Sequence, residues 1–138
     1  MPRTTTSIDS TFEPLMEHVQ EIVGLIQESA RTGTAAHEVE REIWKRLLQM
    51  GYLSLGMFFR LHGTGDQGER LVLPTGEEVK RLEARPRPYQ SIFGHYELMR
   101  VVYGQREGQK IEAIPFDAAL QLPQESTSYL LQESLPLS

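Results

Sequence analysis

Among side chains able to do chemistry, the carboxylates Asp66, Glu69, Glu97, Glu112 and Asp117 fall within one stretch of the 138-residue chain. Metal-dependent phosphoryl transfer needs such groups to converge on paired ions about 4 Å apart, and the spacing shows no convergence. Glu97 reads as an exposed strand residue, and Asp117, after Pro115 and Phe116, as a loop or capping residue. His18, His37, His62 and His95 are scattered, and no pair has the helical spacing of a metal site. GTGDQG at 63–68 lacks the Lys-Ser/Thr ending of a phosphate loop and follows a helical pattern instead of a strand. Ser54 and Ser91 stand outside any GxSxG setting, and the chain has no cysteine, which removes a thiolate nucleophile, a disulfide scaffold and a cysteine zinc site. These observations predict no catalytic residue, no metal and no cofactor.

Cations give a different signal. The net charge is −5, yet residues 80–110 hold 7 basic and 3 acidic side chains. That excess surrounds PYQSIFGHYELMRVVYG, residues 88–104, which is dense in aromatic and branched side chains. Arg85, Arg87, Arg100, Arg106 and Lys110 flank it and are the candidate DNA-binding residues, since cations can meet phosphates while aromatic rings stack on bases. The competing reading is plain core packing of aromatic and β-branched cross-strand pairs, and the two can hold on opposite faces.

Two patterns must position these groups. Phe12, Leu15, Met16, Val19, Ile22, Val23 and Ile26 follow helical steps and predict a first helix from near Thr11, with Pro14 in its first turn and Gly33 in the stop. A second helix is expected from a Thr34 cap towards His62, with Val39, Ile43, Leu47 and Met50 on its buried stripe. Its second half, GYLSLGMFFRL, is apolar nearly all round and contains Gly51 and Gly56, so it must bend or meet more than one partner; a dimerising hairpin would cover it.

The glycine-rich HGTGDQGE then predicts a flexible joint, and short β-prone runs follow: RLVL, VKRLEA, YQSIF, HYELMRVVY and KIEAI. YQSIF should project Tyr89, Ser91 and Phe93 to one face, and HYELMRVVY should project Tyr96, Leu98, Arg100 and Val102 to one face. Gly104 and Gly108 mark a hairpin turn, while Pro86 and Pro88 disfavour a central strand. After a loop through Pro123, Ser126 or Thr127 should cap a short terminal helix. The expected class is α+β: a two-helix hairpin (1–62), a joint (63–69), a small antiparallel β meander (70–123) and the start of a helix (124–138).

Taken in order, YQSIFG, VVYG, the polar hairpin Gln105–Lys110, Pro115 to Asp117 and LQLP resemble the N-terminal region of a Kra-type bacterial insertion-sequence transposase, over nearly the whole chain. The resemblance implies a role in helical assembly and in recognising element ends. It also implies a catalytic core C-terminal to these residues, so the chain is expected to be truncated and not an enzyme. Related transposases can carry zinc-binding cysteines in the equivalent hairpin; GQREGQK has none.

The expected partners are therefore DNA and a second copy or full-length transposase. The rivals are a homodimeric protein-interaction module without DNA binding, and a metal-dependent nuclease using Glu97 or Asp117. No apolar run approaches the roughly 20 residues that span a bilayer, and the N-terminus lacks the apolar core of a signal peptide, so a cytoplasmic location is expected.

Overall fold

A computed structural model describes residues 6–106 and 110–134, with side chains of the first helix from Phe12 onward. Gly108, read above as part of a hairpin turn, lies outside the described residues. The class is α+β, and the chain divides into two compact units, 1–61 and 62–138.

The first unit is a helical hairpin of α1 (Thr6–Thr32) and α2 (Ala36–His62, whose last residue belongs to the second unit). α1 begins earlier than its pattern predicts, so Pro14 lies inside the helix. Proline removes one i→i−4 hydrogen bond, and the turns on either side of a 27-residue helix offset that loss. Gly33, at φ 73°, ends the helix in the left-handed region, and the Thr34 N–H donates back to the Ser29 carbonyl at 3.0 Å. That bond changes the expected cap. Thr34 is held in the turn with its hydroxyl 3.0 Å from that of Thr32, and the Ala35 carbonyl accepts the first α2 bonds, from Glu38 and Val39. α2 runs unbroken through Gly51 and Gly56.

Among the described residues the second unit holds six strands, β1 (Arg70–Val72), β2 (Glu78–Arg81), β3 (Arg85–Gln90), β4 (His95–Arg100), β5 (Tyr103–Gly104) and β6 (Ile111–Ala113), then α3 (Pro115–Leu120) and α4 (Tyr129–Ser134). They form a four-stranded sheet in the order β1-β2-β5-β6 and a separate pair β3-β4. The simple meander is thus interrupted: HYELMRVVY is two strands in two sheets, and β3-β4 is an excursion between β2 and β5. Val79, Val101 and Tyr103 form a core, with Leu71, Leu73 and Ala113 packed on it. Burying such side chains contributes about 1.5–3 kcal/mol each.

β3 occupies RPRPYQ, where the prolines argued against a central strand. Both strands of a two-stranded sheet are edges, which removes the objection. Gln90 shares the phase of Pro86 and Pro88, and its N–H points away from β4, to the Ser126 carbonyl at 2.7 Å. The missing proline N–H groups therefore face outward and no ladder bond is lost. The tail is short: Ser128, not Ser126 or Thr127, caps α4 by accepting the Leu131 N–H at 3.2 Å.

Candidate functional site

Period-2 alternation sends the inward residues of β3 and β4 to one side: Arg85, Arg87 and Tyr89 are half-buried, Tyr96 and Leu98 are buried, and Arg100 is half-buried beside them. The register sets Arg87 opposite Leu98 and Arg85 opposite Arg100, so Arg87 and Arg100 are diagonal neighbours on one face. Two cations this close repel unless an anion lies between them. α3 supplies it.

Pro115 takes the first helical turn, where its missing N–H has no intrahelical partner. Asp117 follows in the same turn, and its main chain is held at both ends of the helix. Its N–H donates to Ile114, and its carbonyl accepts from Leu122 around left-handed Gln121, φ 53°. Its Oδ2 accepts from Arg87 Nη1 at 3.1 Å and from Arg100 Nη1 at 2.6 Å. Arg87 also donates through Nη2 to the carbonyls of Pro123 and, at 2.7 Å, Glu125. The side chains of Arg87, Arg100 and Asp117 are 11%, 13% and 24% exposed. Asp117 Oδ1 and Arg100 Nε are buried without a hydrogen-bond partner among the described residues.

The five predicted DNA-binding residues therefore separate. Arg87 and Arg100 face inward and fasten α3 and the 123–125 segment to the hairpin. Arg85 is half-buried on the same face, and Arg106 and Lys110 are exposed on either side of residues 107–109.

Glu97 is exposed on the opposite face of β4, with its Oε2 2.9 Å from His95 Nε2, so it does not meet Asp117. Among the described residues, no group of three or more His, Cys, Asp or Glu side chains could hold a metal ion. Ser91 and Phe93 lie beyond the end of β3, correcting the expected YQSIF strand. Ser91 Oγ accepts the N–H groups of Phe93 (3.0 Å) and Gly94 (3.2 Å) and donates to the Gly94 carbonyl, closing the hairpin turn. Phe93 is left 38% exposed.

The glycine-rich segment does not hang free. Gln67 N–H donates to the Tyr103 hydroxyl at 2.8 Å, that hydroxyl donates to the Gly68 carbonyl at 2.7 Å, and Val101 N–H donates to the Thr64 carbonyl at 3.0 Å. Asp66 accepts from Gly68 N–H and Arg81, and these contacts, the backbone one foremost, hold its carboxyl below the usual aspartate range.

The first unit presents an apolar surface. Among the described residues of α1 and α2 only Ser29 is buried, while Phe12, Met16, Val23, Ile26, Trp44 and Leu47 are 40–59% exposed. Leu47, expected inside, is outside; Val39, Ile43 and Met50 are half-buried as expected.

Sequence reasoning missed Asp117 as the arginines' partner. Ile-Pro-x-Asp carried the signal, a proline and an acid in a first helical turn, but Gln121 at the helix end offered no glycine to mark α3. No helix among the described residues is long and apolar enough to cross a membrane. No protein-family model, curated protein or solved structure matches this chain.

Proposed function

We propose that this chain is a non-catalytic N-terminal region of a Kra-type transposase-like protein, whose helical half assembles with further copies of itself or of the full-length protein. One observation carries the reading: two 27-residue helices bury no apolar side chain among their described residues, so the hairpin lacks a core of its own. Isolated helix pairs gain most of their stability from packing an apolar face, and exposed apolar surface of this extent marks a protein contact. The order of YQSIFG, VVYG and LQLP supports the family assignment. A cytoplasmic location belongs to the same reading, with which a cysteine-free chain is compatible. Size-exclusion chromatography with light scattering tests it: an oligomer is expected, and a clean monomer at high concentration would sink the assembly role.

DNA binding by the β-rich unit is the second part of the proposal, now resting on Arg85, Arg106 and Lys110. Mobility shift against element-end DNA at low salt, where phosphate contacts are strongest, is expected to show retardation. Charge reversal of Arg106 and Lys110 should abolish it. The internal Arg87–Asp117–Arg100 pairing favours the rival reading, a pure protein-interaction module, and absence of retardation at low salt would establish that one instead.

A further inference from the structure

We infer that the α1–α2 hairpin is half of a square four-helix bundle, completed face to face by the hairpin of a second copy. The inference rests on the assembly reading above and specifies its contact surface and number.

Each helix carries two stripes. In α1 the stripe facing α2 is Leu15, His18, Ile22, Leu25 and Ser29, all half-buried or buried; Phe12, Met16, Val23 and Ile26 form a second, exposed stripe. In α2 the inner stripe is Val39, Ile43, Arg46, Met50 and Leu53, and the exposed stripe is Trp44, Leu47, Phe58 and Leu61. All follow steps built from three and four residues, the spacing of helices packed nearly along one another. At 3.6 residues per turn the stripes on each helix lie about 90–100° apart.

That angle selects the architecture. A helix at the corner of a square bundle has two neighbours about 90° apart, whereas one in a three-helix bundle has them about 60° apart. In both helices the exposed stripe is displaced in the same rotational sense from the inner one. Because the helices run antiparallel, with Glu21 of α1 ion-paired to Arg46 of α2, equal rotations bring both exposed stripes to one side of the hairpin. An apolar groove of about 470 Å³ on that side, lined by Ile26, Ala30, Val39 and Ile43 among others, opens between them. Glu17, Glu21, Glu28 and Lys45 project from the other side.

A second copy fits this face. Two helices about 40 Å long and 10 Å wide offer on the order of 800 Å², the area each partner contributes to a standard stable interface. The surface needs two further helices of the same length and spacing, which the same hairpin supplies in an isologous contact. Trp44, 59% exposed, is the residue type that concentrates binding energy at such interfaces.

The test is light scattering on the full chain and on Val23→Arg, Leu47→Arg and, from the charged side, Glu17→Arg, with circular dichroism showing that helicity is kept. These residues are exposed, so the monomer tolerates the changes. A dimer is expected for the unsubstituted chain and Glu17→Arg, and for the two apolar-face variants association weakened so that the dissociation constant rises by more than about tenfold. A dimer that Val23→Arg and Leu47→Arg leave intact, or that Glu17→Arg breaks, overturns the inferred face while the assembly reading stands. A trimer overturns the four-helix arrangement, and a monomeric unsubstituted chain overturns both.

Discussion

Arg100 and Asp117 meet across 17 residues of sequence, with Arg100 Nη1 donating to Asp117 Oδ2 at 2.6 Å, and Arg87 reaching the same oxygen from the neighbouring strand. Removing the shared acid leaves two adjacent cations facing each other at a site nearly closed to water. Loss of one partner of a buried pair costs about 3–5 kcal/mol. As Asp117 is 24% exposed, the lower end applies. Asp117→Ala should lower stability by about 3 kcal/mol in urea unfolding. A change below about 0.5 kcal/mol, the usual range of surface substitutions, would show that the triad is not structural.

Gly65 and Gly63 both sit in the left-handed region, at φ 79° and 84°, but only Gly65 is crowded: a Cβ there would stand 2.7 Å from the Phe116 backbone nitrogen. Left-handed backbone at a non-glycine residue costs of order 1–3 kcal/mol. Both alanine variants should lose that much. Gly65→Ala should lose distinctly more, since α3 must shift to admit it, and equal thermal midpoints for the two would contradict the close packing of 62–69 on α3.

Tyr103 is fully buried and its hydroxyl bridges Gln67 N–H and the Gly68 carbonyl. Phenylalanine keeps the ring but strands both backbone groups, at a cost of about 1–3 kcal/mol. Hydrogen exchange at Gln67 should quicken in Tyr103→Phe, and an unchanged rate would mean the strap is held by other contacts.

The depressed Asp66 carboxyl predicts a pH dependence. A group titrating lower in the folded than in the unfolded chain stabilises above its unfolded value, here 3.8, and that contribution disappears as pH falls through the folded value. Thermal midpoints of the unsubstituted chain and Asp66→Asn should therefore differ at neutral pH and converge below pH 3.8. A gap that persists or widens in acid would contradict the assignment.

Much of this was legible in the sequence because it depends on short-range sterics. The helical stripe from Phe12 to Ile26, the stop at Gly33 and the alternation of Tyr96, Leu98 and Arg100 follow from periodicity and from the freedom of glycine at positive φ. Pattern alone also put Arg100 on the same face as Tyr96 and Leu98. It could not tell an inward cation from a phosphate ligand, because that depends on what arrives from elsewhere in the chain.

Long-range closure settles the rest. The expected meander pairs consecutive strands, whereas β5 takes the place beside β2, beyond the β3–β4 excursion. α3 escaped notice because its left-handed cap is Gln121. The single apolar pattern of α1 resolves into two stripes only once α2 covers one of them. Local sterics and periodicity dictate helix, turn and which residues share a face, because neighbouring residues enforce them. Partner identity, as between Arg100 and Asp117, was decided by the three-dimensional path that brings distant residues within hydrogen-bonding reach.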